Sequence, residues 1–412
     1  MNFTEFNLNS ELMEGIAAMG YEKPSPIQEL AIPLALKGFD LIACAQTGTG
    51  KTAAFLLPLL HQIMLNKKHD SNIHALIIAP TRELAIQIDR QLEGFAYFTG
   101  VSSIAVYGGG SGNDFEIEKK AIKTGAQVII ATPGRLLSHI NLGYVDFSKL
   151  NFLVMDEADR MLDMGFMPDI QRIIRQLPDK KQTLMFSATM PSEIRALAKK
   201  ILHNHQEINL AVSKPAENVL QAAYIVYDSQ KIALIESLIT DRDLPLVLIF
   251  SATKSGVKEI ESALKKRKMN VQAIHSDLEQ DQREQVLNNF RNRKIQILVA
   301  TDIVSRGIDV DNISLVINYN VPGDAEDYVH RVGRTARAEK TGLAITFINE
   351  KEMGKFHRIE EFIQDTVRKL PLPAELGDGP SKDQHHDRSH SKSRNFRPKG
   401  KNNFRRPSTP KA

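Results

Sequence analysis

The sequence predicts an α/β protein with two tandem domains, each a parallel sheet covered by helices on both faces, followed by a disordered basic tail. Three observations carry this. Short apolar runs of strand length alternate with amphipathic stretches of helix length, and strand–helix alternation is the pattern of a buried parallel sheet. The alternation breaks once, near Ser213-Lys214-Pro215, and then resumes. Beyond about Pro373 the apolar content collapses, and Gly377 to Ala412 is too polar to bury a core. The domain boundaries that follow are a leading region over 1–33 packed on the first domain, a domain over 34–210, a linker over 211–218, a second domain over 219–372 and a tail over 373–412.

The elements follow in order. Leu8, Leu12, Ile16 and Met19 recur at helical spacing, with Ser10 as the expected N-cap. Pro24 and Pro26 hold the next stretch extended. Asp40–Cys44 is the first strand. Strands are then expected at 74–79, 101–107, 127–131, 151–155 and 183–186, with helices at about 53–66, 81–98, 114–123, 134–141, 166–176 and 192–202. The second series places strands at 222–227, 246–250, 271–274, 296–300, 315–318 and 344–348, and helices at 230–240, 254–267, 280–293 and 350–364.

Composition narrows the function classes. A chain of 412 residues, 42% hydrophobic and 25% charged, fits a soluble globular protein of two or three domains. Its one cysteine, Cys44, excludes a disulfide framework and a Cys/His zinc cluster and fits a reducing compartment. No basic start with an apolar core opens the chain, and no apolar run reaches the roughly 18 residues that span a bilayer. A cytoplasmic protein with no membrane contact is expected. From Pro380 to Ala412 there are ten Lys and Arg against two Asp, so a near-neutral body carries a basic tail. That asymmetry points to a polyanionic partner, and Phe396 and Phe404 between the charges suit weak, sequence-tolerant RNA contact. His385, His386 and His390 have no fixed scaffold on which to hold a metal.

Ala45-Gln46-Thr47-Gly48-Thr49-Gly50-Lys51-Thr52 lies between the first strand and a helix. It fits the phosphate-loop pattern once the first glycine is relaxed to Ala45. Gly48 and Gly50 let backbone N–H groups turn inward on a polyphosphate, and the helix start adds its positive end. Lys51 supplies a charge for the β/γ-phosphates, and the Thr52 hydroxyl suits Mg²⁺. Gln28 carries an amide that suits the N6/N7 edge of adenine, and Tyr21 a stacking face; taken alone, these residues fit a plain loop and helix start better. Asp156-Glu157-Ala158-Asp159 follows a strand, where an acid of a phosphate-loop sheet holds Mg²⁺. Asp156 takes that role, and Glu157 orients and deprotonates the attacking water. The second half has no such loop; its counterpart is expected at Leu248–Gly256. The second half should therefore complete a single nucleotide site from across a cleft.

Asp-Glu-Ala-Asp together with the other motifs resembles the DEAD-box RNA helicases of superfamily two, over about residues 3 to 370. Tyr21 to Gln28 resembles the Q motif, with Phe6 as its upstream aromatic, and Ala45–Thr52 resembles motif I. Pro80–Ala85, Gly108-Gly109, Thr132–Arg135 and Ser187-Ala188-Thr189 resemble motifs Ia, GG, Ib and III. Leu248–Thr253, Gln280 with Arg283, Ala300–Asp309 and His330–Arg337 resemble motifs IV, IVa, V and VI. The short, compact whole is most similar to bacterial RhlE-like members.

The resemblance implies two RecA-like domains, ATP and Mg²⁺ as cofactors, and RNA-stimulated ATP hydrolysis coupled to local, non-processive unwinding. It implies that Arg334 and Arg337 reach the γ-phosphate across the cleft, that Asp309 contacts the ribose, and that Asp159, Ser187, Thr189 and His330 couple the two ligand sites. Arg82, Gly108, Gly109, Thr132, Arg135, Gln280, Arg283 and Thr301 would line a groove for single-stranded or duplex RNA with little sequence preference. A monomer is expected, with ribosome assembly and RNA decay both open as settings. An ATP-gated RNA clamp and a DNA translocase stay open as alternatives. Ala336 stands where the family most often has Gly, and Ser251-Ala252-Thr253 departs from the usual motif IV residues.

Overall fold

The structure is a computed structural model that describes residues 1–45, 48–65, 72–109, 112–210, 219–240, 242–301, 313–335 and 342–380. Seven strands form a first sheet: β1 (Leu41–Cys44), β2 (Ala75–Ile78), β3 (Ser103–Val106), β4 (Val128–Ala131), β5 (Phe152–Met155), β6 (Gln182–Ser187) and β7 (Gln206–Asn209). Their order is β3-β4-β2-β5-β6-β1-β7, and every pair is parallel. A second sheet holds β8 (Val219–Ile225), β9 (Val247–Phe250), β10 (Val271–Ile274), β11 (Ile297–Ala300), β12 (Leu315–Asn318), β13 (Gly342–Ile348) and β14 (Arg368–Leu370). Its order is β10-β11-β9-β12-β13-β8-β14, again parallel. Position by position, the two sheets have the same topology.

Period-two alternation divides each sheet between two cores. Leu41, Ala43 and Val154 face one cluster with Phe55 and Phe186, while Ile42, Cys44 and Leu153 face another with Met161 and Ile194. Leu248 and Phe250 likewise face one side of the second sheet, and Val247 and Ile249 the other. Strands buried on both faces read as unbroken apolar runs, which is why the sequence shows them.

Several expectations need correcting. β7 and β14 were not expected: both are edge strands with polar sequences, Gln-Glu-Ile-Asn and Arg-Lys-Leu. The first long helix is capped by Asn9, whose side-chain oxygen accepts from the Glu11 N–H; Ser10 is its first residue. A six-residue helix, Ala158–Asp163, begins inside the Asp-Glu-Ala-Asp tetrad.

Shared topology also moves the second-half counterpart of the phosphate loop. It follows β8, the equivalent of β1, and not β9 as expected from Leu248–Gly256. Lys231 opens the helix after β8 as Lys51 opens the helix after β1. Lys231 is fully buried, 2.8 Å from Asp228 and 3.6 Å from Glu352, and donates to the Tyr319 carbonyl. Carboxylates of the chain itself stand where phosphate charge would be needed.

Residues 373–380 are not part of a disordered tail. Gln230 donates to the carbonyls of Leu376 and Asp378, Leu372 and Leu376 pack on the second domain, and Pro380 is buried. A few backbone contacts hold a segment that composition alone reads as too polar. The linker 211–218 and the tail from 381 lie outside the described residues. No described helix is long and apolar enough to cross a membrane.

Candidate active site

The phosphate loop is braced from behind. Gly48 and Gly50 have φ of +82° and +90°, in the left-handed region that glycine tolerates. A Cβ on Gly50 would lie 2.4 Å from Gln28 Nε2. Gln28 is 2% exposed; its Nε2 donates to the Gly50 carbonyl at 3.1 Å, and its Oε1 accepts from the Ser25 N–H at 2.9 Å. Ser25 Oγ donates to the Thr49 carbonyl at 2.7 Å. The amide expected to read adenine is thus engaged with the loop. Ser25 was missed, although a serine three residues before a glutamine at a helix start is a visible capping signal.

A cavity of about 190 Å³ lies over this loop, lined by Tyr21, Gly48, Lys51, Thr52, Asp156 and Glu157 from the first domain and Arg334 from the second. Lys51 donates to the Ala45 carbonyl at 2.9 Å. Tyr21 meets Phe95 and Phe3 edge-on and reaches the cavity. Phe6 does not line it: this ring is buried in the core against Phe3. Gln46, Thr47, Asp309, Ala336 and Arg337 lie outside the described residues.

The acids differ in state. Burial pushes the Asp156 carboxyl up to about 6, against the pull of Lys51. Burial works against ionising Glu157 too, but the Arg160 guanidinium, with Lys51 and Arg334 nearby, holds it at about 2. Arg160 Nη1 is 2.8 Å from Glu157 Oε2. Glu157 also sits at φ +51°, which a side-chain-bearing residue rarely adopts and which is held here by its surroundings. Arg160 was missed; its signal is a cation three residues after Glu157, at the start of a helix.

Asp159 joins the next motif. Its Oδ2 accepts from the Ala188 and Thr189 N–H groups at 3.1 and 2.8 Å and from Thr189 Oγ1 at 3.1 Å. Its own N–H donates to Ser187 Oγ. A second cavity of about 110 Å³ puts Asp159, Thr189 and Glu157 together with His330 and Arg334 of the other domain. Burial pushes the His330 imidazole down to about 4, opposed by Asp159 and Glu157.

The expected RNA-contacting residues lie in loops and helix starts that follow strands of both sheets. Gly108 and Gly109 are exposed. Thr132 caps the helix Pro133–Asn141 without using its hydroxyl as the cap. Thr301 follows β11, and Gln280 opens the helix Gln280–Arg291. The arginines are already engaged. Arg82 pairs with Glu284 at 2.6 Å, and Arg283 with Glu83 at 2.9 Å, so Arg-Glu of one domain crosses Arg-Glu of the other. Arg135 pairs with Glu118 at 2.7 Å. Among the described residues, Arg82 Nε and Nη1 and Arg135 Nη2 are buried with no hydrogen-bond partner.

No described group of three or more His, Cys, Asp or Glu side chains could hold a metal by itself. The donor set nonetheless fits Mg²⁺, which takes one carboxylate, a hydroxyl, waters and substrate phosphates. Asp156 is a buried acid short of positive charge, and Thr52 lines the same cavity.

A sequence profile described as DEAD/DEAH box helicase matches residues 25–197, and one described as helicase conserved C-terminal domain matches 230–339. A relative from Listeria monocytogenes, ATP-dependent RNA helicase CshA, is 41% identical over 90% of this chain and 70% of its own length. ATP-dependent RNA helicase DeaD of Haemophilus influenzae is 40% identical over 91% of this chain and 61% of its own. Both carry subgroup names other than the RhlE-like one expected. Among solved structures, S. cerevisiae Dbp5 bound to RNA and ADP BeF3 superposes with a TM-score of 0.81 at 32% identity, covering 90% of this chain and 95% of that one.

Proposed function

Since the chain belongs to the DEAD-box helicase family, we propose that it is an RNA-stimulated ATPase that separates short RNA duplexes locally or remodels RNA–protein complexes. The observation that carries this is one cavity lined by the phosphate loop, Asp156 and Glu157 of one domain and Arg334 of the other. The fit to an RNA- and nucleotide-bound relative supports reading this arrangement as the closed one.

In this reading the phosphate-loop backbone and Lys51 hold ATP, with Tyr21 beside the base. Mg²⁺, held by Thr52 and Asp156, would supply charge neutralisation on the phosphates. Glu157 is ionised at neutral pH and orients the attacking water. Arg334, with Arg337, neutralises charge on the γ-phosphate, a contribution typically worth about 10³–10⁵ in rate. Because Arg334 comes from the second domain, hydrolysis requires closure. Exposed glycine N–H groups, Thr132, Thr301 and the three arginines contact the RNA backbone, so binding shows little sequence preference. Asp159, Thr189 and His330 connect the two sites. The chain acts as a monomer in the cytoplasm, in ribosome assembly or RNA decay.

The test is ATP hydrolysis with and without single-stranded RNA at fixed salt, for the native chain and Glu157→Gln. Strong stimulation of the native chain and at least about a hundredfold loss in the variant, with ATP still bound, are expected. A variant that turns ATP over normally sinks the assigned role of Glu157.

A further inference from the structure

We propose that Glu118 is a positioning residue for RNA: one buried carboxylate that fixes the Gly108-Gly109 turn and the Arg135 guanidinium relative to each other. The proposal rests on the RNA-binding reading above. Glu118 is 4% exposed, on the helix Gly112–Thr124, away from the nucleotide cavity. Its Oε1 accepts from the Tyr107 N–H at 3.2 Å, one residue before Gly108. Its Oε2 lies 2.7 Å from Arg135 Nε and 2.8 Å from His139 Nε2. His139 is fully buried and stacks on Phe115 with ring centres 4.2 Å apart. Its Nδ1 meets the Tyr144 hydroxyl. The ring thus bridges Glu118 and Tyr144 through its two nitrogens.

The arrangement has a direction. Arg135 lies over the Phe115 ring at 4.6 Å and has its Nε committed to Glu118. A planar guanidinium held on one edge presents its other edge at a fixed angle. Nη2, next to the committed Nε, is buried with no hydrogen-bond partner among the described residues. Both elements that Glu118 holds, the glycine turn after β3 and the helix start after β4, were assigned to RNA by the same resemblance. They come from neighbouring strands, and Glu118 bonds to both. A carboxylate beside a nucleic-acid groove repels phosphate by itself, so Glu118 can favour RNA only through the groups it orients.

The experiment is the RNA concentration that half-stimulates ATP hydrolysis, measured on the full chain with Glu118→Gln, Glu118→Ala, Arg135→Ala and the Glu118→Ala/Arg135→Ala double variant. Glutamine keeps the volume but sets an NH2 against one of the donors that Glu118 now satisfies. Each single variant is expected to raise the half-stimulating concentration about tenfold, with the maximal rate changed less than about twofold, and the double variant also by about tenfold rather than a hundredfold. Independent, multiplying effects overturn the proposal, as does Glu118→Gln that needs the same or less RNA than the native chain, since the acid then only cancels charge. An Arg135→Ala variant that behaves as native also overturns it while leaving the other RNA contacts standing. A native chain that RNA does not stimulate removes the RNA reading itself.

Discussion

At Gly50 the loop has no room for a side chain. Gly50→Ala would force a Cβ onto φ +90° and against Gln28 Nε2. About 1–3 kcal/mol of strain is expected, seen as a lowered Tm together with weaker ATP binding. His330 gives a pH dependence whose sign follows from its depressed pKa. The folded state keeps it neutral down to about 4, whereas the unfolded imidazole protonates near 6.5. Its contribution is fully present above pH 6.5 and is lost as pH falls through the window toward 4. Asp156, raised to about 6, works in the opposite sense between 3.8 and 6. Urea unfolding at pH 7 and pH 5 should therefore show a smaller loss of stability on acidification in His330→Asn than in the native chain. An equal loss would mean that His330 is not desolvated in the folded state.

Between elements, the crossed pairs Arg82–Glu284 and Arg283–Glu83 tie the start of the helix Arg82–Ala96 to the helix Gln280–Arg291. They form only where the two domains meet, so they favour closure. Arg283→Glu places two acids together and should lower the RNA-stimulated rate about tenfold. The reversed pair, Glu83→Arg with Arg283→Glu, should restore the maximal rate but not the RNA affinity, because the proposed function gives Arg283 an RNA contact as well. Rate and affinity recovering together would show that the arginine has no separate contact with RNA. The pairing is invisible in the sequence: Arg82 and Arg283 read there as RNA contacts, since their acidic partners are about two hundred residues away in the chain.

For the whole molecule, the proposed function puts the engine within the two sheets and leaves the basic tail to add electrostatic affinity. A chain ending at residue 380 should retain RNA stimulation with a higher RNA requirement and a shallower salt dependence, since the ten Lys and Arg counted from residue 380 on all lie beyond it. The cut belongs at 380 because Gln230 binds the carbonyls of Leu376 and Asp378. Loss of stimulation in this chain would make the tail the main RNA contact.

The sequence by itself determined the strand–helix alternation, the doubling of the fold and the meeting of Lys51, Asp156 and Glu157 at one cavity. Those signals are local: buried strands must be apolar throughout, and a phosphate loop must combine glycine with lysine within a few residues. It missed β7 and β14, because edge strands keep polar faces, and it read residues 373–380 as tail, because their anchor is Gln230. Only the tertiary structure decided what each polar side chain faces. It turned Gln28 onto the phosphate loop, buried Phe6, set Arg160 on Glu157, and paired Arg135 with Glu118. A hydrogen bond is won or lost within a few tenths of an ångström, and that distance is set by how distant segments pack, which no local pattern encodes.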